Sequence, residues 1–253
     1  DTFPNHQPVH ADAGQPDSVA SALARVVRGA IAAQGGWLPF DRFMAMALYA
    51  PGLGYYARSS RQFGLMPSSG SDFVTAPEIS PYFGQALAHS VGEALEHTGT
   101  DTVFEFGAGN GSLALQLLNT LGDKVQHYTI VDVSGSLRER QQQTLQSHAG
   151  KVSWLNALPD VMQGVVVGNE VLDAMPVRLL HRLQGVWHER GVVWRETTQA
   201  FDWQDRPTPD QAPCQIEGAQ DYLCEIHPQA EAFVRSLAER LTKGAMFFID
   251  YGF

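Results

Sequence analysis

Apolar residues recur at helical spacing from Ser18 to Gln34, where Val19, Leu23, Val26, Val27, Ala30 and Ile31 share one stripe. Asp17 or Ser18 supplies an N-cap, and Gly35-Gly36 stops the helix. Pro39 opens a second helix to about Leu48, and a third starts near Pro77-Glu78 and reaches about His97. Between them, Tyr49 to Pro77 is rich in Gly, Ser, Pro and aromatic residues. Past Gly99 the texture alternates. Thr102–Phe106, Tyr128–Val133, Val152–Leu155 and Val165–Gly168 read as buried strands, with helices over Ser112–Leu121 and through about Ser147. This βαβαβ order predicts a parallel sheet with helices on both faces. Two β-rich runs follow, Arg178–Leu183 and Val186–Arg195, with turns at Gly185 and Gly191. Gln199 to Gly218 is polar and Pro-rich and predicts a surface excursion. A helix over Pro228–Leu241 then leads into an apolar strand, Ala245–Asp250.

The predicted fold is therefore α/β, a doubly wound sheet with an N-terminal helical cap and an inserted β-rich segment. Residues 1–17 read as a disordered leader, 18–98 as the cap and 99–253 as the α/β domain. The chain stops directly after a core strand, where such a sheet normally adds further strands, so the natural protein is expected to continue. No internal repeat interrupts the pattern.

Charge and composition narrow the function classes. Seventeen Lys and Arg against 27 Asp and Glu give a formal charge of -10, which repels a polyanion, and no basic run offsets it. Nucleic acid is not the expected partner. Cys214 and Cys224 allow one disulfide but no cysteine framework, and reduced thiols in a cytosol-like compartment are expected. No apolar stretch has the length of a bilayer span, and the polar N-terminus is not a secretory signal. Nine histidines are scattered without paired metal-ligand spacing, so no metal site is expected. A Gly-x-Ser-x-Gly elbow is absent, which removes a serine hydrolase.

The chemistry concentrates in Glu105-Phe106-Gly107-Ala108-Gly109-Asn110-Gly111, between a strand and a helix start. Glycines let the backbone turn sharply and let a ligand approach without a Cβ in the way. The third glycine comes one residue too early for a dinucleotide fingerprint, and no lysine completes a P-loop. Glu105 would repel a pyrophosphate yet suits the ammonium of a methionyl group beside a cationic sulfonium. The loop thus favours S-adenosylmethionine over NAD, with Glu105, Gly107 and Gly109 as cofactor-binding candidates. Asp132, closing the next strand, can accept two hydrogen bonds from a ribose diol, a device that dehydrogenases share.

The fourth strand ends in Gly168-Asn169-Glu170-Val171-Leu172-Asp173-Ala174-Met175-Pro176. In an open α/β sheet, ligands bind beyond the carboxyl ends of strands where the strand order switches. Asn169, Glu170 and Asp173 are therefore the catalytic candidates around a methyl acceptor. Carboxylates there can hold a planar guanidinium bidentately, whereas Asn169 offers a carbonyl to an amine or amide hydrogen. Helix capping is the competing role for Glu170 and Asp173.

Several separated motifs in order resemble the MidA family of methyltransferases. They are Gly54-Tyr55-Tyr56, Asp72-Phe73-Val74-Thr75-Ala76-Pro77-Glu78-Ile79-Ser80, Phe83-Gly84, the loop at Glu105, Gly168-Asn169-Glu170-Val171-Leu172-Asp173-Ala174-Met175-Pro176-Val177 and Asp250-Tyr251-Gly252. The resemblance runs from about Gly35 to the end. It implies a class I methyltransferase fold and a protein arginine as acceptor, since the family includes the mitochondrial arginine methyltransferase required for complex I assembly. It further implies that Asp72 to Ser80 lies over the cofactor, which adds Thr75, Pro77, Glu78 and Ser80 to the cofactor-binding candidates. Ser71 stands where the family pattern usually has glycine. Ala, Gln and Trp usage and the lack of a basic transit peptide suit a bacterial, cytoplasmic member; a eukaryotic one would belong in the mitochondrial matrix. The expected partner is a protein substrate such as a respiratory-complex subunit. Two rivals stand beside this reading: a non-catalytic scaffold that binds S-adenosylmethionine for stability, and an NAD-dependent oxidoreductase.

Overall fold

The computed structural model describes residues 18–57, 75–132, 135–214, 216–218 and 220–251. The predicted leader, Ser71 and the segment Asp72 to Val74 lie outside them. Five strands form an all-parallel sheet: β2 (Thr102–Phe106), β3 (His127–Val131), β4 (Val152–Leu155), β5 (Met162–Asn169) and β10 (Leu241–Ile249), in the order β10-β5-β2-β3-β4. The chain runs outward from β2 to β3 and β4, then returns to lay β5 on the other side of β2. That reversal places the carboxyl ends of β2 and β5 side by side, which is where a ligand crevice forms.

Both faces of this sheet are covered, which explains why its strands read as continuous apolar runs. On one face, helices α4 (Pro81–Thr98) and α5 (Ser112–Leu121) bury Val91, Leu95, Leu117 and Leu118 against Val103, Val165 and Val167. On the other, α7 (Pro228–Arg240) sets Leu237 and Phe233 against Phe104, Phe106 and Val166. Helix α6 (Gly135–Thr144) carries the chain from β3 towards β4. At the contact of β5 with β10, Gly164 adopts φ +148°, and a Cβ there would lie 2.2 Å from the Thr102 carbonyl oxygen.

The remaining elements pack elsewhere. Val27 and Ile31 of α1 (Val19–Ala33) pack with Leu38 against Val192 of a second, antiparallel sheet, and Phe40, Phe43 and Met46 of α2 (Phe40–Tyr49) pack on that cluster. That sheet holds β1 (Leu38–Pro39), β6 (Arg178–Leu183), β7 (Val186–Arg195), β8 (Ala200–Pro207) and β9 (Tyr222–Ile226). The segment read as one helical cap thus divides: its first two helices belong with the inserted strands, α4 lies on the parallel sheet, and α3 (Ala76–Ile79) packs against α4 and α5.

Two expectations are corrected. The surface excursion from Gln199 begins as a full strand, β8, paired with β7 from Arg195↔Ala200 to His188↔Pro207. Its alternation was hidden because one face points to the α1 and α2 cluster through Phe201 while Asp202 and Asp205 are tied to arginines. The single helix expected from Pro77 to His97 is two helices, broken at Ser80. A residue before proline avoids the helical region, and Ser80 sits at φ −150°, ψ 137° ahead of Pro81. Both cysteines are free thiols.

Candidate functional site

At the adjoining carboxyl ends of β2 and β5 lies a cavity of about 400 Å3, within the size of small-ligand sites. Its floor is the glycine loop. Gly107, Gly109 and Gly111 adopt φ of +66°, +52° and +88°, so three alternate residues occupy backbone space that side-chain-bearing residues rarely enter. Asn110 braces the turn by accepting the Ser112 N–H at 2.9 Å, and Gly111 caps α5.

Asp132 stands just beyond β3, lines the cavity and donates its backbone N–H to the Leu155 carbonyl. Its orientation comes from Gln141 on α6, which is fully buried. Gln141 Nε2 donates to the Gly109 carbonyl at 3.0 Å and to Asp132 Oδ2 at 3.2 Å, while its Oε1 accepts the Trp154 indole N–H at 2.9 Å. One amide therefore fixes the loop, the strand-end carboxylate and the neighbouring strand together. The sequence signal was a polar residue at the centre of the Leu137, Gln141, Leu145 stripe, an inner position of the helix.

Glu105 is 1% exposed at the back of the cavity, and Tyr128 donates its hydroxyl to Glu105 Oε2 at 2.8 Å. Burial pushes the Glu105 carboxyl up to about 7, the Tyr128 hydrogen bond pulls it down, and Asp132 adds to the rise. A folded-state value above the ordinary 4.5 means that stability from this group is fully present below about 4.5 and is lost as pH climbs through about 7. Replacing Glu105 by Gln removes this proton linkage. Between pH 5 and 8 the unliganded variant should gain on the wild type by on the order of 2–3 kcal/mol. Chemical denaturation across that range checks the slope; parallel curves would contradict a buried, titrating Glu105.

The roof comes from α3. Thr75, Pro77 and Glu78 line the cavity, with the Thr75 hydroxyl 3.5 Å from Glu78 Oε1. Gln116 on α5 holds this roof down: its Nε2 donates to the Pro77 carbonyl at 2.6 Å and its Oε1 accepts the Gly84 N–H at 2.9 Å. Gly84 is required by that approach, since a Cβ would lie 2.4 Å from Gln116. Ser80 is not part of the lining. Its hydroxyl caps α4 by accepting the Tyr82 N–H at 3.2 Å.

Asn169 and Glu170 line the opposite wall at the end of β5. Glu170 holds φ +52°, rare for a residue with a side chain, and donates its N–H to the Ile249 carbonyl at 2.8 Å. Burial and the neighbouring Asp173 push the Glu170 carboxyl up, while a hydrogen bond from Asn169 pulls it down. Asp173 sits behind the lining residues rather than among them, with Tyr251 bonded to its carboxylate. Its Oδ1 is buried and without a partner among the described residues. Asp250 accepts the Leu172 N–H at 3.2 Å and is itself pushed up by burial and by Asp173. Tyr49 and Tyr56 stack at 5.6 Å on the cavity wall, both hydroxyls raised first by burial and then by Asp173. Glu78, Asp173 and Asp250 each act on the Glu170 carboxyl through their charge, so four carboxyl groups lie close together at one end of the cavity, an arrangement that attracts cations.

Of the residues expected from the sequence, Glu105, Gly107, Gly109, Asp132, Thr75, Pro77, Glu78, Asn169 and Glu170 share this cavity. Tyr49 and Tyr56 line it as well, and Gln141, Gln116 and Tyr128 brace its walls from outside the lining. No helix among the described residues is long and apolar enough to cross a membrane.

Residues 86–253 match a family model described as "Putative S-adenosyl-L-methionine-dependent methyltransferase". The chain is 47% identical to a Burkholderia thailandensis protein crystallised with S-adenosyl-homocysteine, with a TM-score of 0.83 over 96% of this chain and 66% of that one. It is 29% identical to the mitochondrial protein arginine methyltransferase NDUFAF7 of Homo sapiens, over 86% of this chain and 56% of the relative. The corresponding homolog of Caenorhabditis elegans is 26% identical over 86% of this chain and 58% of the relative. The chain thus spans little more than half the length of these curated relatives.

Proposed function

The chain belongs to this family of S-adenosyl-L-methionine-dependent methyltransferases, and from that premise we propose that it methylates an arginine side chain of a protein. The observation that carries the arginine reading is the acidic end of the cavity, where Glu170 lines the wall opposite the glycine loop with Asp173 and Asp250 behind it. A guanidinium is planar, always charged and bidentate towards carboxylates, which suits this wall. The names of the mitochondrial relatives support the same acceptor.

The residues present fit S-adenosylmethionine, which when bound supplies an electrophilic methyl group on sulfonium sulfur. Gly107 and Gly109 would offer bare backbone, Asp132 its carboxylate to a ribose diol, and Glu105 its carboxylate to the methionyl ammonium. Thr75, Pro77 and Glu78 would close over the ligand. Asn169 and Glu170 would orient the acceptor nitrogen, with Asp173 deepening the field from behind. The carboxylates can take up the proton that the methylated nitrogen sheds. A bacterial cytoplasmic setting and a respiratory-complex subunit as acceptor are the finer parts of this proposal.

Two assays on the full natural protein test it. S-adenosylhomocysteine at about 100 times its Kd should stabilise by about 2.7 kcal/mol in a thermal shift, while NAD should leave the melting temperature unchanged. Tritiated cofactor should then label a protein fraction on arginine. Stabilisation by the ligand with no labelled protein would favour the scaffold reading, and stabilisation by NAD alone would sink both.

A further inference from the structure

The loop after β5 is held by a residue far from it in sequence and outside the cavity lining. His227 follows β9 directly and caps α7, and its ring is engaged at both nitrogens. Nδ1 lies 3.2 Å from the Ala230 N–H, which can only donate, so Nδ1 accepts and the ring proton resides on Nε2. Nε2 then donates to the Leu172 carbonyl at 3.0 Å. The same residue's N–H is taken by Asp250, and its carbonyl also accepts the Met175 N–H at 3.0 Å. The Leu172 backbone is gripped on both sides, by groups from two different elements.

We propose that His227 is a positioning residue for methyl transfer: by fixing the Leu172 carbonyl it sets where Glu170 presents its carboxylate. This rests on the function proposed above. Glu170 lies two residues before Leu172, in a left-handed conformation that its surroundings must enforce. On its own strand side, the Ile249 carbonyl bonds the Glu170 N–H. Downstream, the bonds at Leu172 hold the loop together with the Tyr49 hydroxyl, which donates to the Ala174 carbonyl at 2.6 Å. Because His227 directly follows the last strand of the inserted sheet, it also ties that sheet to the acceptor wall.

The two ring functions separate by substitution. Asparagine places an oxygen where Nδ1 stands and keeps the α7 cap, but it cannot reach Leu172. Glutamine places an N–H2 where Nε2 stands and caps poorly. With the full natural protein, His227→Asn should melt near the wild type yet lose at least about tenfold in kcat, as small misplacements of a reacting group do. Its KM for the cofactor should not move. Amide exchange across residues 170–175 should quicken. His227→Gln should melt lower but restore kcat to within about threefold of the wild type. A His227→Asn protein with wild-type kcat and unchanged exchange overturns the inference. If the wild type transfers no methyl group, the functional reading fails instead, and loop exchange still decides whether His227 holds the loop.

Discussion

Gly109→Ala should weaken S-adenosylhomocysteine binding by at least about 100-fold, and Gly122→Ala should not weaken it at all. Both sites take a positive φ and have open space for a Cβ. Gly109 has φ +52° and Gly122 φ +55°, and a Cβ built on either meets nothing within 4 Å. Neither alanine meets a steric clash from the protein itself, and each carries the cost of a positive φ, about 1–2 kcal/mol in the left-handed region and more at Gly122, whose ψ of −120° lies outside that region. The two sites differ in what lies beyond them. Gly109 lines the cavity, whereas Gly122 ends α5 at its far end. If a ligand lies against the loop backbone, a methyl group at Gly109 occupies its place, and no neighbouring atom needs to move to reveal the effect. Calorimetric titration of both variants gives the answer. Equal affinity losses, or none at Gly109, would mean that the loop does not touch the ligand.

What the sequence revealed and what it concealed follow from the range of the interactions. Glu105, the three glycines and Asp132 were legible because strand, turn and helix are local, and a glycine run between them has few other uses. Asn169 and Glu170 were legible because a strand's carboxyl end at a reversal of order is a known place for a ligand. Ser80, whose motif position pointed to the cavity, lies outside its lining, and its hydroxyl accepts the Tyr82 N–H as the α4 cap. Gln141, Gln116 and His227 were invisible as site residues, since each acts by gripping backbone 32 to 55 residues away. Strand β8 was hidden by Asp202 and Asp205, whose charges are offset by Arg195 and Arg190 across the ladder. Polar composition does not by itself mark a loop, because an edge strand open to water on one face is polar too.

Glu170→Gly should produce a protein at least as stable as the wild type that has lost transfer by about 100-fold or more. The prediction turns on the backbone. Glu170 sits at φ +52°, where a residue with a Cβ costs about 1–2 kcal/mol more than glycine. If the position existed only to turn the chain after β5, glycine would serve it better, as it does at Gly107 and Gly109. A glutamate held there, its carboxylate on the cavity wall, is strain that persists for what the side chain does. Glycine should relieve that strain, raising the denaturation midpoint by up to the same amount. It also removes the group proposed to hold a guanidinium, and deleting one partner of a charge-assisted bidentate contact in a reacting complex accounts for a loss of this size. Cofactor affinity should stay within about threefold, because the Glu170 main chain keeps its bond to Ile249. Glu170→Gln separates charge from shape. Since burial and Asp173 hold the Glu170 carboxyl above its usual range, wild-type transfer should climb with pH through that raised titration, and the glutamine variant should lose the climb. A Glu170→Gly protein that is more stable and fully active would leave the acidic wall without a part in the chemistry.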